Sequence, residues 1–211
     1  MKFDEPETFF TWQVKPSVII GRNQVLENEV DVAYCREHGI SIFRRKSGGG
    51  CVYADEQNLM LSFIARTDSV AWAFNCFTGL LTNVLTRLGM KTVVTDRNDV
   101  LVNGRKVSGT ACRQLHDHCI VHSTLLYDTN MQHMLHAITP STQKLQRKGV
   151  KSVGQRITLL RDYLPGMSVD ALNGYIRKTL CNGTLTLGAT DVAAIERIEQ
   201  EYLNSQFIEK M

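Results

Sequence analysis

Three consecutive glycines, Gly48-Gly49-Gly50, stand between two apolar runs, Ile40 to Phe43 before them and Leu59 to Ala65 after. Glycine loses more conformational freedom on folding than any other residue and has no side chain to bury, so packing gives no reason for three in a row. They imply a backbone that another group approaches closely. Arg44-Arg45-Lys46-Ser47 come immediately before. The approaching group is therefore expected to be anionic, since guanidinium forks, bare N–H groups and a hydroxyl suit phosphate or carboxylate. Two phosphate loops are excluded, because the stretch has no Gly-Lys-Ser/Thr ending and no Gly-x-Gly-x-x-Gly opening a helix. Cys51-Val52-Tyr53 reads instead as a strand, which places the loop between strands, over a sheet. On local chemistry alone, a flexible hairpin with a solvated basic flank is the plain alternative.

The rest of the pattern supplies strands and helices around that loop. Phe9 to Val14 and Ser17 to Ile20 read as strand pieces broken at Pro16, and Glu27 to His38 as a short helix stopped by Gly39. Asp68 to Leu88 carries Val70, Ala73, Phe74, Phe77, Leu81, Val84, Leu85 and Leu88 at steps of three and four, which predicts a core-facing helix ended by Gly89. Lys91 to Thr95 is a β-branched strand, and Asn103-Gly104 between two apolar runs predicts a tight hairpin within Asp99 to Val107. A strand over Ile120 to Tyr127, helices over Met131 to Ile138 and Val169 to Leu180, a short strand at Thr184 to Leu187 and a terminal helix over Asp191 to Leu203 complete the reading. Gln143 to Gly154 is polar and basic and reads as a loop. Strands interrupted by helices, with hairpins among the strands, argue for an α+β or mixed α/β sheet over a single domain spanning 1–211.

Composition enters as a set of exclusions. With 24 basic and 21 acidic residues the balance is only mildly basic, and the basic residues are not interleaved with aromatics, so no nucleic-acid footprint is expected. No apolar run approaches the length of a membrane span and residues 1–7 are not signal-like, which predicts a cytoplasmic protein. The six cysteines (35, 51, 76, 112, 119 and 181) lack Cys-x-x-Cys spacing and read as reduced thiols, most of them small core residues.

A second constellation lies beyond Asn98-Asp99. The strand leaving the hairpin carries Lys106 and then Val107-Ser108-Gly109-Thr110-Ala111. Small residues leave room above a sheet, and a lysine reaching into that room can hold a carboxylate or phosphate oxygen and stabilise developing negative charge. Taken alone, Lys106 reads as a solvated hairpin lysine; the Arg-Arg-x-Ser-Gly-Gly-Gly loop in the same small domain turns the reading toward a functional one.

Three stretches in order resemble one family. They are Arg44 to Tyr53 with Asp55 and Asn58, then Arg97 to Gly109, then Val121-His122-Ser123-Thr124-Leu125-Leu126 followed by Lys144-Leu145 and Lys148 to Val153. Together they are similar to the lipoate-protein ligase A family of the biotin/lipoate ligase and octanoyl transferase superfamily, over about Phe10 to Tyr202. The resemblance implies an α+β (mixed α/β) fold with a central mixed, largely antiparallel sheet flanked by helices. It also implies two-step chemistry. Lipoate and ATP, with Mg2+, give lipoyl-adenylate; a lysine amine on a lipoyl domain of a 2-oxoacid dehydrogenase E2 subunit, or on the glycine-cleavage H protein, then takes the acyl group and releases AMP. Carried over by position, Arg45 and Lys106 are the catalytic cations. Gly50, Cys51, Val52, Tyr53, Asn58, Asn98 and Asp99 join them around the nucleotide, with Asp99 as the metal ligand. Ser47, Gly48, Gly49, Gly50, Lys106 and His122 surround the lipoate.

The chain also departs from the family pattern. Ala54 stands where histidine is usual, and Ser123 where glycine is common. The N-terminal strand and helix of relatives have no room in residues 1–8, and few residues follow Tyr202, so the reading is of a shortened start and no C-terminal accessory domain. An exposed sheet edge would then invite a homodimer. Acyl transfer through a cysteine thioester is the rival enzyme reading, with Cys112 or Cys119 as nucleophile. Cys119 and His122 are three apart and so face opposite sides of a strand, a poor dyad. A zinc site from His116, His118, Cys119 and His122 fails on the same geometry. A paralogue that binds lipoyl domains without activating lipoate is the non-catalytic reading.

Overall fold

The protein is described from a computed structural model, which covers residues 7–139 and 153–209. Two sheets share the chain. Six strands, β1 (Glu7–Trp12), β5 (Asn58–Ala65), β6 (Thr92–Val94), β7 (Asp99–Val102), β8 (Arg105–Leu115) and β9 (His118–Leu126), form an antiparallel sheet in the order β1-β5-β9-β8-β7-β6. The other three, β2 (Ser17–Ile20), β3 (Ser41–Arg44) and β4 (Val52–Ala54), form a small sheet in the order β3-β2-β4. There β2 runs parallel to β3 and antiparallel to β4, so the mixed character expected from the sequence resides in the small sheet.

One face of the large sheet is covered by helix α2 (Val70–Arg87), which starts where Ser69 accepts the Trp72 N–H and stops before Gly89, whose φ of +86° needs a glycine. Its apolar stripe buries Ala73, Phe77, Leu81, Val84 and Leu85 against Leu59, Leu61 and Phe63 of β5 and Val121 and Leu125 of β9. Each of the larger of these side chains stabilises the fold by about 1.5–3 kcal/mol relative to its exposed state. A second helix, Val169–Leu180, capped by Ser168, adds Leu172 and Ile176 to the same core. The small sheet has its own core with α1 (Val32–Glu37) and α3 (Met131–Ala137), where Val18, Ile20, Cys35, Tyr53, Met134 and Ala137 meet. Among the described residues the remaining α-helices are α4 (Val153–Arg156), α5 (the Val169–Leu180 helix), α6 (Ala189–Leu203) and α7 (Ser205–Ile208).

The Asn103-Gly104 turn closes the β7–β8 hairpin as expected, with φ of +50° and +77° at its two central residues. Two expectations fail. The helix expected over Glu27 to His38 is confined to Val32–Glu37, because Val30 bridges Ile138 and Asp31 caps the helix by accepting the Tyr34 N–H. Thr184 to Leu187 is not a strand, since no neighbouring strand offers it a ladder, and Leu185 and Leu187 are exposed. The Lys144-Leu145 and Lys148 to Ser152 parts of the third motif, with most of the expected Gln143 to Gly154 loop, lie outside the described residues. No described helix is long and apolar enough to cross a membrane.

Candidate functional site

The glycine loop connects β3 to β4, the two strands that flank β2, so it must cross the end of β2 at Gly21. The crossing is close: a Cβ built on Gly21 would lie 2.2 Å from the Gly49 carbonyl oxygen. Gly49 itself has φ of +92°, and its own Cβ would press on the Arg45 guanidinium. Arg45 is the internal brace of the loop. Its Nε and Nη2 donate to the Gly48 carbonyl at 3.2 and 2.8 Å, Nη2 also to Gly50 at 2.7 Å, and Nη1 to Ile19 of β2 at 3.0 Å. Burial pulls the Arg45 pKa below its ordinary value. With two loop carbonyls turned onto Arg45, the N–H groups of Gly48, Gly49 and Gly50 donate to no group among the described residues. Such an array of bare N–H groups over a fixed cation is a cradle for an anion.

His122 joins this loop to the large sheet, its Nε2 standing 2.9 Å from the Ser47 hydroxyl. Burial, with the Arg45 charge adding to it, depresses the His122 pKa to about 4, so the ring is neutral at pH 7.

A second cluster lies where β7 meets β8. A bulge at Val100/Leu101 pairs Asp99 with Gly109 while Leu101 pairs with Lys106. It therefore sets Lys106 and Gly109, three residues apart, on one face, where an unbroken strand would place them on opposite ones. A Cβ on Gly109 would lie 2.4 Å from Lys106 Nζ, so the ammonium rests where only a glycine leaves room. Lys106 Nζ is 2.7 Å from Asp99 Oδ1, and Arg156, at the end of α4, holds the other carboxylate oxygen. Asp99 is almost fully buried, and burial lowers the Lys106 pKa against the opposing pull of Asp99. Two cations meet one carboxylate here, which leaves a net positive end for an incoming anion.

Both clusters open on one cavity of about 680 Å³ between the two sheets. Its apolar wall comes from Trp12, Ile19, Met60, Leu126, Met134 and Ile138, and its charged wall from Arg45, Lys46, Arg97, Lys106, Arg113 and Arg156 with Asp99 and Glu29. The mixture suits an amphipathic ligand, apolar at one end and anionic at the other.

Of the residues singled out in the sequence, Arg45, Ser47, Gly49, Gly50, Cys51, Val52, Tyr53, Asp99, Lys106 and His122 line this cavity. Gly48, Asn58 and Asn98 do not. Asn58 is buried, donates to the Tyr53 carbonyl at 3.3 Å and accepts from the Thr129 hydroxyl. Asn98 takes φ of +58° in the turn that delivers Asp99. Arg156, Gly21 and Trp12 were not singled out. A glycine closing a strand was the only signal for Gly21, and Arg156 carries no local motif. Ala54 and Ser123, the two departures from the family pattern, are both buried.

The cysteine alternatives lose their geometry. Cys119 is sealed in the core under α2, and Cys112 packs against that core with its pKa pushed up to about 12 by burial and by Cys119, so neither is a ready thiolate facing the cavity. No group of three or more His, Cys, Asp or Glu among the described residues is placed to hold a metal ion, and His118 pairs with Asp117 at 2.7 Å.

Comparison with known proteins decides the family. Residues 1–181 match the model of the lipoyl protein ligase A/B catalytic domain. The chain belongs to that family. It is 34% identical to the lipoate-protein ligase LplJ of Bacillus subtilis over 80% of this chain and 51% of that protein. In this and four other curated lipoate-protein ligases the match covers 51–62% of the relative's own length. Among solved structures, a bipartite lipoate protein ligase of Thermoplasma acidophilum, described with its E2 lipoyl domain, superposes with a TM-score of 0.85 at 24% identity, covering 99% of this chain and 86% of that one. A lipoate-protein ligase A bound with ATP gives 0.83 at 21% identity, covering 100% and 89%. These two likenesses establish the lipoyl ligase fold, including the antiparallel sheet and flanking helices described above.

Proposed function

We propose that the chain joins lipoate to a specific lysine of lipoyl domains in the cytoplasm, first forming lipoyl-adenylate from lipoate and ATP. One observation carries this reading: a cavity with an apolar wall runs between an N–H cradle braced by Arg45 and the Lys106–Asp99–Arg156 cluster. Adenylation needs no protein nucleophile. It needs a carboxylate aligned with an α-phosphate and the clustered negative charge neutralised. Lys106, freed from Asp99 by a competing anion, holds the oxygens of the mixed anhydride, and the glycine N–H groups take the remaining charge. His122, neutral and held to Ser47, keeps the loop in register over the acyl group. Asp99 is the carboxylate inside the cationic end, and one carboxylate plus phosphate oxygens and waters is how Mg2+ is commonly held at nucleotides. The ion would supply charge neutralisation at the phosphates. The relatives named as lipoate-protein ligases, and the E2 lipoyl domain described with one of them, support the same substrates and partner.

The test is a mass assay of an apo lipoyl domain incubated with the protein, lipoate, ATP and Mg2+, beside a second reaction given synthetic lipoyl-adenylate. Modification in both supports the complete reaction. Modification from the adenylate alone means transfer without activation, and none from either overturns the proposal.

A further inference from the structure

The family match ends at residue 181, yet Tyr202, on the last turn of α6, lines the cavity. The helix that carries it is unusual in its attachment. Along its length α6 buries no side chain, and Val192, Ile195 and Ile198 are exposed. It is held at its far end, by the basic residues that flank Arg45. Lys46 pairs with Glu201 and lies 4.9 Å from the Tyr202 ring centre. Tyr202 meets Phe207 edge-on with ring centres 5.6 Å apart. Arg44, almost wholly buried, donates from Nε to the carbonyls of Phe207 and Ile208 at 3.1 and 3.0 Å, and from Nη1 to those of Gly21 and Gln24 at 3.1 and 2.7 Å. A buried guanidinium with carbonyl partners on both segments ties them together, because releasing either would leave a desolvated charge short of acceptors.

We propose that Glu201–Ile208 forms a strap locked onto the glycine loop by Arg44 and Lys46, and that Tyr202 is a positioning residue that completes the cavity wall and keeps water from the acyl-adenylate. This rests on the function proposed above. The requirement is chemical. In the wasteful reaction a water oxygen attacks the acyl carbon, the bond from that carbon to the phosphate oxygen breaks, AMP leaves with the electron pair, and lipoate and protons are released. In the productive one a lysine amine attacks the same carbon, the same bond to the phosphate oxygen breaks, and AMP leaves with the electron pair while the amine sheds a proton. Excluding water is thus what separates transfer from hydrolysis.

The experiment uses the full chain with Tyr202→Ala, Tyr202→Phe and Glu201→Gln. Two readouts are followed: the alkylation rate of the cavity-lining Cys51, resolved by peptide mass spectrometry, and the AMP released per lipoyl group transferred from synthetic lipoyl-adenylate. Tyr202→Ala is expected to raise both about tenfold and Glu201→Gln about threefold, while Tyr202→Phe, which keeps the ring, stays within twofold of the parent. Alkylation and AMP release unchanged in both Tyr202→Ala and Glu201→Gln overturn the strap. If the parent protein transfers nothing from the adenylate, the functional reading fails, and Cys51 alkylation alone still decides the strap. Glu201 is exposed, so its variant stands in should Tyr202→Ala not fold.

Discussion

The two faces of the β8–β9 pair carry opposite solutions on the same backbone. Toward α2, Val107, Cys119, Val121 and Leu125 are fully buried and meet a helix packed down on them. Toward the small sheet, Gly109, Ala111, His122 and Thr124 border open space, with the glycine loop standing off above them. The filled face holds the fold, and the empty one holds a place for a ligand. Strand alternation decides which is which, and on the open face Gly109 and Ala111 leave room of the kind that Val121 and Leu125 fill on the other.

Four substitutions or titrations would sharpen or break that contrast. The largest effect is expected for Lys106→Ala, which should lower lipoyl transfer from lipoate and ATP about 1000-fold, or about 4 kcal/mol, with a smaller loss of urea stability, because Arg156 still holds the buried Asp99 carboxylate. A comparable loss of stability would break the contrast. Leu125→Ala should do the reverse. Removing a buried leucine typically costs about 2–5 kcal/mol, visible in urea unfolding, with turnover per folded molecule retained. Next comes pH. His122 has its folded pKa depressed from 6.5 to about 4, so the unfolded chain binds the extra proton between those values. Stability contributed by the neutral ring is complete above pH 6.5 and is lost as pH falls toward 4, by roughly 3 kcal/mol. Urea titrations at pH 7.5, 6 and 5 should show this, and His122→Asn should flatten the slope. The smallest effect is expected for Gly109→Ala. Its methyl would displace the Lys106 ammonium, a flexible group, so transfer should fall about tenfold with no change in the helix-side core, read as an unchanged near-ultraviolet spectrum.

Much of the filled face was legible because periodicity reports it directly. The spacing from Val70 to Leu88 gave α2 to within two residues, and Asn103-Gly104 gave the hairpin turn. The empty face was legible only where a local oddity marked it, as three glycines after two arginines do, or a lysine before Ser-Gly-Thr-Ala. Arg156 was missed because it reaches Asp99 from a segment with no pattern of its own. Gly21 was missed because its constraint is a contact with Gly49 that no neighbouring residue announces. Asn58 and Asn98 show the converse. A residue can sit inside a motif and serve it by shaping the turn or strand beside the cavity rather than by facing it.

The partition of Asp99 between Lys106 and Arg156 also has a consequence in time. Its two cations are fifty positions apart in the chain. On a ribosome adding about 5–20 residues per second, Lys106 can meet Asp99 roughly 3–10 s before Arg156 has been made. The sheet can be assembled during that interval, but its charged end is finished only when the returning segment lays Ile157 beside Lys106.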